Sequence, residues 1–274
     1  MLRQRLIVAA AGIPLLALLL VLPEPAFALA VQALLAVATF EMVRAAAPHA
    51  PLSVPVSAGA AAALLLAVAR VADDLPIPGL LAVTAASLGL LLAPRGRLGD
   101  SVPGWWTGAV LYVGVAGAHF LFLRNLVDGR EWLVVLLAVT FATDTGAYVT
   151  GRLLGRHRLA PAISPNKTWE GLAGGLVLGA VVAVGVLLGI DTGRDPGGHH
   201  SLLATVAWAG AAVVALVLPV AAIAGDLLES ALKRRIEVKD MSGLLPGHGG
   251  LLDRLDSLLL AAPCLYWIVQ WFQA

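Results

Sequence analysis

Apolar stretches of about 20 residues recur along this 274-residue chain, and that recurrence restricts the fold more than any motif does. A hydrocarbon layer about 30 Å thick is crossed by about 20 helical residues. Every backbone polar group inside it must be bonded within the segment, so runs of this length are read as helices. With 59% hydrophobic and 13% charged residues and a mean hydropathy of +0.90, the chain falls outside the range of soluble globular domains. The spans are placed at residues 6–22, 26–46, 54–72, 78–94, 103–122, 131–150, 170–190, 201–225 and 251–272. The expected fold class is all-α, a polytopic integral membrane protein with about nine transmembrane helices. The first span follows Arg3 and Arg5 as a signal peptide would, but no small-residue cleavage site follows it and another span begins at once. It is therefore expected to be retained. The single cysteine, Cys264, excludes an internal disulfide or a cysteine metal cluster and is assigned to packing.

Lys and Arg accumulate in cytoplasmic loops. With a cytoplasmic N-terminus, 14 of the 18 basic residues fall on the inner side, leaving Arg70, Arg124, Arg130 and Arg194 outside. Both charge-rich loops then face the cytoplasm, and a multi-pass protein of the cell inner (plasma) membrane is expected. The net charge of +1 gives no reason to expect a nucleic-acid partner.

Residues 1–125 are Ala/Leu/Val spans with few polar side chains and read as a scaffold. Residues 126–274 carry the polar content and read as the catalytic part of one integrated membrane unit. Gly171, Gly175 and Gly179, four residues apart, line one helix face and admit a close neighbour, within one chain or across a homodimer. The loop at 191–200 reads as a turn-rich outer linker. His119 is expected to be a satisfied core histidine. Asp144, a lone carboxylate within a span, reads as a buried hydrogen-bonded helix contact, with a catalytic role as the other reading.

The segment from Gly225 to Asp256 stands apart, because each charge at the bilayer centre costs roughly 2.5–3.5 kcal/mol on insertion scales. Asp226, Glu229 or Ser230, and Lys233 or Arg234 follow helical spacing and form one polar stripe running out of the eighth span. Asp253 and Asp256, three residues apart at the mouth of the ninth span, share a face. Carboxylates without cysteine or paired histidines suit Mg²⁺, which bridges acids to phosphate oxygens, and a second cation is compatible with three acids. Lys233, Arg234, Arg235 and Lys239 supply the field a polyphosphate needs. Gly247, Gly249 and Gly250 free the backbone to turn and to offer N–H groups to an anion. The competing account is an ion-pair network with a basic patch for anionic lipids, yet lipid anchoring requires neither His248 in a glycine turn nor two aspartates at the mouth of a span. Upstream, Ser164-Pro-Asn-Lys-Thr168 reads as a turn feeding a helix that begins near Thr168 or Trp169, with Lys167 and free N–H groups placed for a phosphate. The glycines of a P-loop are missing.

The pattern Ser230-x-Leu-Lys-Arg-x-x-x-x-Lys-Asp-x-Ser-x-x-Leu-Pro-x-His-Gly-Gly-x-x-Asp-Arg-x-Asp256 closely resembles the signature of the phosphatidate cytidylyltransferase (CDP-diacylglycerol synthase) family. Ser164-Pro-Asn-Lys-Thr-Trp-Glu-Gly171 and the surroundings of Asp144 resemble further elements of it, whereas the first 125 residues match in hydrophobic character alone. The resemblance implies an enzyme that converts CTP and phosphatidic acid into CDP-diacylglycerol and pyrophosphate. On this reading Asp226, Asp253 and Asp256 hold Mg²⁺. Asp226, Lys233, Asp253 and Asp256 are the catalytic set. Ser164, Asn166, Lys167, Arg234, Lys239, His248, Gly249 and Gly250 contact substrate. A CTP-dependent polyprenol or phytol kinase and a secondary transporter of an anionic substrate are the rival readings.

Overall fold

The computed structural model describes residues 14–71, 101–192 and 202–273, with isolated helical positions at 12, 83, 86, 87, 89 and 91. Its helices are α1 (Glu24–Ala46), α2 (Ser53–Val71), α3 (Val102–Asn125), α4 (Gly129–Leu154), α5 (Trp169–Thr192), α6 (Leu202–Arg235) and α7 (Leu252–Gln273). All of these except α2 are long and apolar enough to cross a membrane, six in number among the described residues; the apolar part of α2 is shorter, Ser53–Ala69. The chain is a multi-pass helical membrane protein. The expected span at 78–94 and the loop at 191–200 lie largely outside the described residues, as does the start of the expected span at 6–22, whose residues 14–21 are helical.

Two local features matter for the site. The helix of the eighth span continues beyond its apolar part to Arg235, as the helical spacing of the polar stripe from Asp226 requires. Leu, Glu, Ala, Lys and Arg after Gly225 are strong helix formers, and Lys233, Arg234 and Arg235 in the last turn oppose the negative end of the helix dipole. The stretch at 164–168, expected as a turn, is a strand. β1 (Arg158–Ala160) and β2 (Ser164–Thr168) pair antiparallel, with Arg158 opposite Thr168 and Ala160 opposite Ser164. Pro165 restricts its own φ and pushes Ser164 into the extended region, which favours strand over turn.

Contacts divide the chain into two compact units, one comprising Met1–Phe122 with Leu232–Leu255, the other Leu123–Ala231 with Asp256–Ala274. In the first, small residues on α2 and α3 let their neighbours in. A Cβ on Gly59 of α2 would lie 2.7 Å from the Ala36 carbonyl oxygen of α1, and the Gly117 notch of α3 takes Leu35. Trp106 Nε1 donates to Ser57 Oγ at 3.0 Å, tying α3 to α2. His119 is buried as expected, its Nδ1 2.8 Å from the Val115 carbonyl.

In the second unit α4 and α5 form a hairpin whose contact surface is built from the anticipated glycines. A Cβ on Gly171 would come within 2.8 Å of the Ala147 carbonyl, one on Gly175 within 2.8 Å of the Thr143 carbonyl, and one on Gly179 would collide with Thr143 Oγ1. This glycine face therefore serves a contact inside the chain. Helices α6 and α7 also approach closely, Gly210 facing Phe272 and Gly225 facing the Asp256 carbonyl. Gly175→Val is expected to force α4 and α5 apart at a cost of about 1–3 kcal/mol, read as a lower unfolding midpoint in detergent. Gly185→Val enters open space and should leave the midpoint unchanged.

Candidate active site

In the first unit the charged loop is organised by two buried carboxylates. Asp253, in the first turn of α7, is 5% exposed. Its Oδ1 accepts from Lys233 Nζ at 2.8 Å, and its Oδ2 accepts the Met241 N–H at 2.9 Å and the Gly250 N–H at 2.7 Å. A carboxylate this deep is tolerable because a cation and two backbone donors replace its water. Glu41, three residues before Arg44 near the end of α1 and 4% exposed, accepts from Ser242 Oγ at 2.6 Å and from the N–H groups of Leu251 and Leu252 at 3.1 and 2.9 Å. It thereby caps α7 from another helix, where a negative charge is favoured by unbonded N–H groups and by the dipole.

The glycines between them are set by these approaches. Gly247 and Gly249 adopt φ of 76° and 84°, a region that glycine enters without strain. A Cβ on Gly249 would lie 2.8 Å from Asp253 Oδ2, and one on Gly250 would lie 2.8 Å from Glu41 Oε2. The anion that the Gly250 N–H meets is thus Asp253 itself. His248 is half-buried. Its N–H donates to the Leu245 carbonyl at 2.9 Å, while its buried Nδ1 has no hydrogen-bond partner among the described residues. Arg234 and Lys239 are exposed.

In the second unit Lys167 Nζ of β2 lies 2.7 Å from Asp226 Oδ2 of α6, both partly accessible at 22% and 32%. Ser230, one turn along α6, reaches Asp226 Oδ1 at 3.5 Å, a contact too long to saturate that oxygen. The strand that carries Lys167 is held by its neighbours: Thr168 Oγ1 accepts the Gly171 N–H at 3.0 Å as an N-cap for α5. Glu170 accepts from the Arg156 and His157 N–H groups at 3.1 and 3.2 Å. Ser164 is half-buried and Asn166 exposed. Asp256 is half-buried, with Oδ1 accepting the Ser257 N–H at 2.7 Å. Asp144 is exposed on α4, which overturns its reading as a buried helix contact: helical spacing puts it beside the exposed Tyr148, on a different face from the buried Thr143 and Gly146 that meet α5.

Asp226 and Asp253 are each joined to a lysine, so each unit carries a carboxylate–ammonium pair beside further donors. The residue that sequence reasoning missed is Glu41. The signal was present, since an acid inside an otherwise apolar span is costly unless it is bonded, but its partners are about 200 residues away in the chain.

Hard oxygen donors, lysines and a glycine-framed loop at the ends of membrane helices define a class: a multi-pass membrane protein equipped to handle phosphate groups. The family model described as "Cytidylyltransferase family" matches residues 3–272, and the chain belongs to that family. The chain is 41% identical over 170 residues to a phosphatidate cytidylyltransferase of Bacillus subtilis, covering 62% of this chain and 59% of that protein. It is 34% identical over 218 residues to one of Staphylococcus haemolyticus, covering 78% of each, and 40% identical over 182 residues to one of Brucella suis, covering 66% of this chain and 62% of that protein.

Glu41→Ala should orphan the Leu251 and Leu252 N–H groups and cost about 1–3 kcal/mol, measured as a lower unfolding midpoint. Glu41→Gln keeps one carbonyl acceptor and is expected to lose less.

Proposed function

We propose that this chain transfers the cytidylyl group of CTP to phosphatidic acid, giving CDP-diacylglycerol and pyrophosphate. The observation that carries this reading is the family match over nearly the whole chain, shared with relatives that bear the name phosphatidate cytidylyltransferase. In the reaction a phosphate oxygen of the lipid attacks the α-phosphorus of CTP, and the bond to the pyrophosphate oxygen breaks. Two anionic substrates must be brought together, so charge neutralisation is the main task. The attacking phosphate is largely ionised at neutral pH, its second pKa being about 6, and needs no obligatory general base.

The donor chemistry fits a hard divalent cation. Among the described residues no group of three or more His, Cys, Asp or Glu is arranged to hold a metal; Mg²⁺ commonly uses one or two carboxylates and completes its shell with water and substrate phosphates. Asp226, Asp253 and Asp256 are the proposed ligands for Mg²⁺ or for Mg²⁺ with a second cation, which when bound would offset the charge of the reacting phosphates. Lys233, Arg234 and Lys239 hold the triphosphate and the departing pyrophosphate. Lys167, with Ser164 and Asn166, positions the lipid phosphate or CTP. His248 serves as a positioning donor through the ring nitrogen left without a partner. The Lys/Arg asymmetry of the loops favours a cytoplasmic face for this chemistry, in the cell inner membrane.

The direct test supplies purified protein with CTP, phosphatidic acid and Mg²⁺. A CDP-lipid with equimolar pyrophosphate is expected; CDP with a phosphorylated lipid would overturn the reading. Asp226→Asn, at a partly exposed position, should lower turnover by about 10²–10³ while the unfolding midpoint holds. His248→Gln should retain measurable turnover, and a loss as complete as that of Asp226→Asn would assign His248 a proton-transfer role instead.

A further inference from the structure

A cavity of about 520 Å³ opens in the unit formed by Met1–Phe122 and Leu232–Leu255. Among the described residues, Arg44 and Arg235 line it together with Trp105 and otherwise apolar side chains, Val238 and Met241 among them, and none is Asp or Glu. Three helix ends supply this wall: Arg44 lies in the last turn of α1, Trp105 in the first turn of α3 and Arg235 in the last turn of α6. Each guanidinium has a backbone carbonyl among its partners. Arg44 donates to the Ala50 carbonyl at 3.2 Å. Arg235 donates to the Leu91 carbonyl and lies 5.6 Å from the centre of the Trp105 ring.

Two cations in an apolar wall suit an amphiphile with an anionic head. The guanidinium fork matches phosphate oxygens in bidentate fashion, while Trp105, Val238 and Met241 offer surface to glycerol and the first methylenes of acyl chains. A nucleoside would call for several polar side chains to fix its base and sugar, and this wall has few. The cavity also adjoins the charged loop: Met241 lines it, and the N–H of that same residue bonds Asp253. Neither arginine belongs to the signature spanning Ser230 to Asp256, in which the position after Arg234 is unspecified.

We infer that this cavity takes the phosphomonoester head group of the lipid substrate, with Arg44 and Arg235 as its phosphate ligands. The inference deepens the proposed function and rests on it for the identity of the lipid.

The test is calorimetric titration of the purified full chain, in neutral detergent, with short-chain phosphatidic acid, phosphatidylglycerol of the same chain length, inorganic phosphate and CTP. Phosphatidic acid is expected to bind in preference to the other lipid and to inorganic phosphate. Arg44→Gln and Arg235→Gln should each weaken it about tenfold or more, the size of a lost charge-assisted hydrogen bond, with CTP affinity unchanged in Arg44→Gln. Val238→Trp fills the cavity while keeping both charges and should weaken phosphatidic acid likewise, which preserves the test if an arginine variant fails to fold. Unchanged phosphatidic acid affinity in folded Val238→Trp would overturn the inference, as would a selective loss of CTP affinity. Equal binding of phosphatidylglycerol would mark a general anionic-lipid site, and equal binding of inorganic phosphate a plain anion site; either outcome overturns it too. Titration requires no turnover, so a chain that binds phosphatidic acid here without forming a CDP-lipid would sink the proposed function and leave the cavity assignment standing.

Discussion

The buried carboxylate of Asp253 is the constraint on which the charged loop depends. An acid at the mouth of an apolar helix is stable in its ionised form only if its lost hydration is replaced, and here the replacement comes from three places in the chain at once. Lys233 at the end of α6 and the N–H groups of Met241 and Gly250 all converge on its two oxygens. Satisfying that one group therefore fixes the end of α6, the course of the loop and the start of α7. Glu41 repeats the device from α1, bonding Ser242 and the first N–H groups around the start of α7. The Pro-Gly-His-Gly-Gly turn then follows as a steric consequence, because a side chain at Gly249 or Gly250 would collide with one of the two carboxylates.

The second compact unit solves a related problem with fewer buried charges. Its helices α4 and α5 approach through glycines and carbonyl oxygens, a mode of packing suited to lipid, where burial of apolar surface offers little drive for association. The close hairpin anchors β2, and β2 presents Lys167 to Asp226. The lysine thus sits on a short strand braced by Thr168 and Glu170 rather than on a free loop. Functional groups mounted on rigid elements hold their geometry better than groups on loops, and both lysine–aspartate pairs have this support.

Much of this was legible in the linear order of residues. Apolar runs of membrane length gave the helices, and the spacing of Asp226, Ser230 and Lys233 gave a polar stripe because side chains three or four apart share a helix face. Gly171, Gly175 and Gly179 announced a close contact. The hairpin at 158–168 was not legible, since a strand of three to five residues has too short a pattern to compete with turn chemistry. Nor was the pairing of the lysines, because two cations near several acids admit many combinations. Glu41 shows the limit most clearly: one acid in an apolar helix signals that a partner exists and says nothing about which.

What the sequence determined alone is the solvent and the chemistry: a helical chain for lipid, with hard acids, amines and a glycine turn gathered near Asp226 to Asp256. These follow from composition and from helical periodicity, which are local properties. Tertiary structure decided which charge neutralises which, that Asp144 is exposed on α4, and that Arg44 and Arg235 share a cavity. Such pairings join residues that are distant in the chain, and electrostatic energy depends on separation and burial in space, which no local pattern encodes.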